Sequence, residues 1–160
     1  MTQEYQRILV AIDGSKEAEL AFQKAVQVAL RNHSALLLVQ VIDPIVFQSY
    51  AGSEELMTEQ IVQEVSQQVK QTMEEYLKVA KEQGVTDVRY TIEYGSPKHK
   101  IAKELTEEQQ IDLIMIGATG LNALERFFVG SVSGYVIREA SCDVLVVRTN
   151  LDNQGYSEEQ

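Results

Sequence analysis

Residues 111–133 read IDLIMIGATGLNALERFFVGSVS: an apolar run, a glycine-spaced loop and the start of a helix. The run from Ile111 to Ile116 is short, bounded by polar residues on one side and glycine on the other, and reads as a buried strand. Gly117 and Gly120 sit three apart directly after it. Nine residues then precede Gly130-Ser131, where a helical pattern begins and continues to about Ala140. Lacking a Cβ, Gly117 lets a ligand come close to the backbone, and Gly120 can take a positive φ to turn the loop. The first N–H groups of the following helix have no intrahelical partners and carry the positive end of its dipole. Phosphate oxygens are stabilised in such a place, with the Ser131 and Ser133 hydroxyls as additional donors. The bland alternative is an ordinary glycine-rich connection with Ser131 as helix cap. The position directly after a buried strand favours the ligand.

Outward from this stretch, the same strand, turn and helix unit recurs. Arg7 to Ile12 is β-rich and ends at Asp13-Gly14-Ser15, after which Ala18, Phe22, Ala25, Val26 and Ala29 recur at helical spacing. Arg31-Asn32-His33-Ser34 breaks that helix, and Ala35 to Ile42 forms a second apolar strand ending at Asp43-Pro44. Residues 45–53 have no period and are expected to form a mobile loop. Met57, Ile61, Val65, Val69, Met73, Tyr76, Leu77 and Ala80 mark a long amphipathic helix ending near Gly84. Val85 to Tyr94 supplies a third strand, less apolar and therefore nearer an edge. Gly95-Ser96-Pro97 starts a helix, with Ser96 as N-cap and Pro97 preset for the first helical position, running to about Gln110. After the 111–133 unit comes a last strand, Asp143 to Arg148. Residues 150–160 form an acidic tail expected to be disordered. Strands separated by helices imply a parallel sheet covered on both faces, with ligands at the carboxyl ends of the strands. Asp13, Val41 to Asp43, Gly95 and Gly117 collect there.

Composition narrows the function classes. A chain of 160 residues that is 44% hydrophobic fits one domain with a sizeable core. Asp and Glu number 24 against 14 Lys and Arg, a formal charge of −10, so an extended nucleic-acid surface would work against net repulsion. No apolar run approaches the roughly 20 residues that span a bilayer, and the first residues lack an apolar signal core, so a soluble cytoplasmic protein is expected. Cys142 is the only cysteine, so no intrachain disulfide can form. Neither GxxxxGK[ST] nor GxGxxG follows a strand, against a P-loop NTPase or a dinucleotide dehydrogenase. Ser131 lies in no GxSxG elbow, and His33 and His99 are the only histidines, so no catalytic residue and no protein-built metal site is assigned.

The spacing Gly117, two residues, Gly120, nine residues, Gly130-Ser131 resembles the ATP-binding signature of the universal stress protein family. Residues 8–15, ILVAIDGS, Val41-Ile42-Asp43, and residues 141–148, SCDVLVVR, are similar to family segments as well, so the resemblance covers residues 1–149. It implies a single Rossmann-like α/β domain, a five-stranded parallel sheet in the order 3-2-1-4-5 with helices on both faces, a homodimer paired through Val144, Leu145, Val146 and Val147, and ATP bound with Mg²⁺ or Mn²⁺. Carried over by motif, Asp13 lies against the nucleoside, flanked by Ala11 and Ile12. Val41 offers its backbone to adenine, Gly117 lies by the ribose, Gly120, Gly130, Ser131, Val132 and Ser133 form the triphosphate shell, and Ile116 is counted with the cofactor-binding residues. Gly134 stands where relatives carry Glu or another side chain, and Asp143 replaces a common Pro. Three functions stay open: a nucleotide-dependent stress sensor acting on a protein client that the sequence does not name, a nucleotide-independent dimeric scaffold, and a slow ATPase.

Overall fold

Five apolar runs, each too short to be a core helix, become the strands of one sheet in the computed structural model, which describes residues 2–45, 59–119 and 129–155. In chain order the elements are β1 (Arg7–Ala11), α1 (Lys16–Asn32), β2 (Ala35–Ile42), α2 (Glu59–Glu82), β3 (Val88–Tyr94), α3 (97–108), β4 (Leu113–Gly117), α4 (Ser131–Glu139) and β5 (Asp143–Val147). All four pairings are parallel and the strand order is β3-β2-β1-β4-β5, as the family resemblance implies. Parallel strands need crossovers, and each crossover helix buries one face of the sheet, so the central strands are apolar on both sides.

Alternation along each strand sorts the core into two layers. Ile8 and Val10 of β1, Leu36 and Leu38 of β2, and Leu113 and Met115 of β4 face α1 and α2, meeting Phe22, Ala25, Val26, Met73 and Ala80. Leu9 and Ala11, Leu37 and Val39, and Ile114 and Ile116 face the other way, against Ile101, Ala102 and Leu105 of α3 and Val136 of α4. Phe22 and Tyr76 lock α1 to α2 edge to face, with ring centroids 4.7 Å apart. The less apolar β3 lies at one edge, where only β2 pairs with it.

Local chemistry departs from the sequence reading in three places. Ser96 occupies the N-cap position of α3 and Pro97 its first turn, yet the Ser96 side chain makes no capping bond. The helix then widens to a π turn over Lys100–Glu104. There the buried Thr106 hydroxyl donates to the Ile101 carbonyl, five residues earlier, at 2.8 Å, satisfying an acceptor inside the widened turn. Residues 150–155, expected to be disordered, fold into a turn. Asn150 Oδ1 accepts the N–H groups of Asp152 and Gln154, while Lys24 Nζ of α1 donates to Thr149 Oγ1 (2.7 Å) and Asn153 Oδ1 (3.1 Å). Most of the loop expected over 45–53, the start of the long helix at Met57 and the rest of the tail lie outside the described residues.

Gly134 sits inside α4, where, among the described residues, a Cβ would meet the end of the Arg138 side chain at 3.4 Å and Val129 Cγ1 at 3.9 Å. The space accepts a methyl group, so helix propensity governs the substitution. Gly134→Ala is expected to stabilise the fold by about 1 kcal/mol, read as a rise in the urea midpoint and in Tm of about 2–4 °C.

Candidate functional site

The sheet order places β1 between β2 and β4, so chains leave β1 for opposite halves of the sheet and a crevice opens beyond its carboxyl end. Asp13, Val41 and Gly117 come together around that crevice from three strands. β1 ends first, and Ile12 N–H donates to Val39 O at 2.7 Å. At the far end of β2, Ile42 O accepts Gly95 N–H on the β3 side. Because backbone groups alternate in direction, Val41 turns its N–H and C=O toward β1, past the last register pair of that ladder, Ala11 with Val39. Asp13 Oδ1 accepts the Ser15 N–H at 2.8 Å, fixing a turn through Gly14 at φ 84°. Ser15 itself, buried, is the N-cap of α1, its hydroxyl accepting Ala18 N–H at 3.1 Å. Asp13 thus holds the turn and leaves the capping to Ser15, while its side chain stays exposed.

Gly117 has a different reason for being glycine from the one its sequence context suggests. A Cβ there would lie 2.8 Å from the Glu17 carbonyl carbon and 2.8 Å from Glu17 Cβ, so the first turn of α1 occupies the space a side chain would need. A helix approaches that backbone in addition to any ligand. The Gly117 carbonyl is met by the buried Ser133 hydroxyl, which donates to it at 2.7 Å. The Ser133 hydrogen, expected as a further phosphate donor, is therefore committed to the sheet.

Of the helices that start at this edge, α1 and α4 flank Gly117, and they differ electrostatically. α1 is capped by Ser15 and carries Glu17 and Glu19 in its first turn, so its positive end is already answered. α4 begins at Gly130, which has no side chain to cap with, and its first turn contains no acidic residue. Among the described residues nothing accepts from the Ser131, Val132 and Ser133 N–H groups at this helix head, which stand beside the exposed Ser131 side chain. Gly130 N–H is tied at 2.8 Å to Ala118 O, and Ala118 N–H at 3.1 Å to Val147 O, joining the head of α4 to the ends of β4 and β5. Gly120 lies outside the described residues.

The apolar candidates divide between the two core layers. Ala11, Ile116, Val132 and Val41 share the layer of α3 and α4, with Val41 and Val132 only partly buried at its upper rim. Ile12 packs in the opposite layer, so only its backbone borders the crevice. Cys142 is half-buried; burial first, then the Asp112 and Asp143 carboxylates, push its thiol pKa up, which suits a packing residue. His33 closes the far end of α1 in a left-handed conformation, and His99 is exposed with its ring against Tyr135. Among the described residues no cluster of three or more His, Cys, Asp or Glu is arranged to hold a metal, and no helix is long and apolar enough to cross a membrane. A cleft of about 170 Å³ under β3, lined by Leu37, Arg89, Thr91, Glu93, Leu105 and Glu108 among others, shares no residue with the crevice. Sequence patterning carries no signal for the roles of Glu17 and Ala118, since each acts through a backbone contact to a distant segment.

The strand order and the alternation of strands with helices are those of a Rossmann-like α/β fold, and comparison with known proteins narrows this further. The family model described as universal stress protein family matches residues 4–148. A putative universal stress protein of Staphylococcus haemolyticus is 48% identical over 145 residues, covering 91% of this chain and 86% of that one. Among solved structures, the universal stress protein UspA from Lactobacillus plantarum is 31% identical with a TM-score of 0.77, covering 92% of this chain and all of that one (100%). A universal stress protein crystallised in complex with cAMP is 27% identical with a TM-score of 0.63, covering 91% and 98%. The chain belongs to the universal stress protein family.

Glu17 cannot retreat from Gly117 without moving the first turn of α1, so a side chain there overpacks a rigid contact. Gly117→Ala is expected to cost about 1–3 kcal/mol, measured as a lower urea midpoint with the slope unchanged. An unaltered midpoint would show that α1 yields freely.

Proposed function

We propose that this protein binds ATP, together with Mg²⁺ or Mn²⁺, in the crevice beyond β1 and acts through its bound state as a cytoplasmic, nucleotide-dependent stress sensor or regulator. The observation that carries the reading is the uncapped head of α4, set against the end of β4 beside the free rim of β2. In this reading the Ser131 and Val132 amides, the Ser131 hydroxyl and the Gly120 backbone receive the phosphates, while Gly130, its N–H held by Ala118 O, contributes the close approach that a missing side chain allows. Gly117 borders the ribose, and Val41 presents N–H and C=O to the adenine edge. Ala11, Ile116 and Val132 supply the apolar floor, and Asp13 accepts from the nucleoside with the carboxylate oxygen that the turn leaves over. A relative crystallised with cAMP supports an adenine nucleotide as the ligand class.

The residues fit a phosphate chain better than a free cation. Without a clustered donor set among the described residues, the divalent ion enters with the phosphates and keeps much of its water. When bound, it neutralises phosphate charge. The chain's own groups named above bind a ground-state nucleotide, and none is placed as a base to activate water, so the protein is read as a binder with slow turnover at most.

Assembly follows from the other side of the same unit. Among the described residues β5 pairs with β4 alone, and Leu145 on it and Ile137 on α4 are 39% and 48% exposed. The chain after β5 is tied to α1 through Lys24. An edge of this kind is protected by pairing with its own copy, giving a two-fold homodimer through Val144, Leu145, Val146 and Val147.

Two measurements test this. Calorimetry on nucleotide-free protein is expected to show heat with ATP and Mg²⁺, lost in a folded Gly130→Val variant, whose side chain stands where phosphate approaches. No heat at millimolar ATP would leave the scaffold reading in its place, and rapid phosphate release in the same cell would make the protein an enzyme. Light scattering at micromolar concentration is expected to give a dimer mass, shifted toward monomer by Val146→Pro, which restricts φ and removes a ladder donor. A monomer mass with and without ATP would exclude the β5 pairing.

A further inference from the structure

The end of β4 and the head of α4 are joined twice. Ser133 Oγ donates to Gly117 O at 2.7 Å, and Gly130 N–H donates to Ala118 O at 2.8 Å. The ladder between β1 and β4 stops at Val10 with Met115, two residues short of Gly117, so the Ser133 hydroxyl meets a carbonyl beyond the end of that ladder. Ser133 is 4% exposed. A serine hydroxyl has one hydrogen. For a phosphate to take it, Gly117 O would be left without this donor in a place screened from water, an expensive exchange. Ser131, by contrast, is exposed. Gly117 in turn is backed by Glu17, whose backbone fills the space of a missing side chain. The contact stack therefore runs from the first turn of α1 through Gly117 and Ser133 into the first turn of α4.

We propose that Ser133 is a positioning residue for the phosphate site: its hydroxyl fixes the head of α4 against β4, so that the Ser131 and Val132 amides stand in place before a nucleotide arrives. The inference rests on the nucleotide reading above and assigns a different role to one residue of that site. The two serines of the Ser131-Val132-Ser133 segment then divide the work, the exposed one offering its hydroxyl to the ligand and the buried one holding the frame. Preorganisation of this sort lowers the ordering cost of binding and is visible without ligand, whereas a direct phosphate contact is felt only in the complex.

The test uses Ser133→Ala and Ser133→Thr in the full chain, read by two measurements. In nucleotide-free protein, hydrogen exchange is followed at the Gly134 amide, which makes the first helical bond of α4 to Gly130 O. Exchange there is expected to quicken roughly tenfold in Ser133→Ala, the scale of one lost hydrogen bond, and to return toward the wild-type rate in Ser133→Thr, which keeps the hydroxyl. ATP affinity by calorimetry is expected to follow the same order. If Ser133→Ala does not fold, Ser133→Cys, with a weak S–H donor and similar bulk, replaces it in both measurements. Weakened ATP binding with unchanged exchange would make Ser133 a direct ligand and overturn the proposal. Faster exchange with unchanged ATP affinity would overturn it too, since the cradle would then need no such support. Wild-type protein that binds no ATP would defeat the nucleotide reading itself, while the exchange measurement alone would still decide whether Ser133 fixes the head of α4.

Discussion

A helix can rest on the end of β4 only because residue 117 has no side chain. The backbone and Cβ of Glu17 fill the space where a Cβ would stand, and this contact sets how far α1 descends toward the sheet. Other features of the edge answer to it. The chain must leave β1 and enter α1 within a few residues, which the turn through Gly14, held by Asp13 and capped by Ser15, accomplishes. Gly117, pinned from the α1 layer, offers its carbonyl to Ser133 and so becomes the anchor for α4. The two layers of core are thereby registered to each other at the same residue where the crevice opens.

Electrostatics then separates two helices that geometry treats alike. Both α1 and α4 begin at the carboxyl edge, yet α1 spends its positive end on Ser15 and its own glutamates, while α4 has neither a capping side chain at Gly130 nor an acidic residue in its first turn. The overall charge of −10 does not forbid an anion there. At physiological ionic strength, charges beyond about 8 Å are largely screened, and N–H groups at a helix head act at hydrogen-bond distance. The ion pair of Lys103 with Glu139, at 3.4 Å, and the contact of His99 with Tyr135 join α3 to α4 at the surface. Solvent screens such a pair, so they steady α4 less than the buried Ser133 bond does.

The two edges of the sheet are finished differently. β3 lies alongside α2, whose Ser66 hydroxyl meets that of Tyr94 at 2.9 Å and whose Glu74 accepts from Tyr90. β5 is anchored at its amino end by the Tyr5 hydroxyl donating to Asp143 Oδ2 at 2.9 Å, and the chain beyond it is drawn to α1 by Lys24. Asp143 thus has a structural task of its own at the start of β5. The apolar side chains of β5 are left at a border, and Ala118 ties that same strand to the head of α4.

The architecture was legible because it rests on short-range patterns. Runs such as Leu9 to Ile12 and Leu113 to Ile116 are apolar at every position, which only a strand buried on both faces requires, and helical spacing between them forces parallel crossovers. The strand order came from the family resemblance of the glycine spacing, and the polar character of β3 agreed with an edge. Sequence also singled out Asp13, Gly117 and Gly130 as exceptional residues, since turn, close approach and helix start each favour few residue types. Tertiary structure decided what those residues touch. Glu17 lies one hundred positions from Gly117, so no local pattern could distinguish a helix backbone from a ligand as the cause of the glycine. Likewise, only the folded chain shows whether the hydrogen of Ser133 meets solvent or Gly117. A single hydroxyl proton has one partner at a time, and the sixteen residues that separate Ser133 from that carbonyl are bridged by the fold alone.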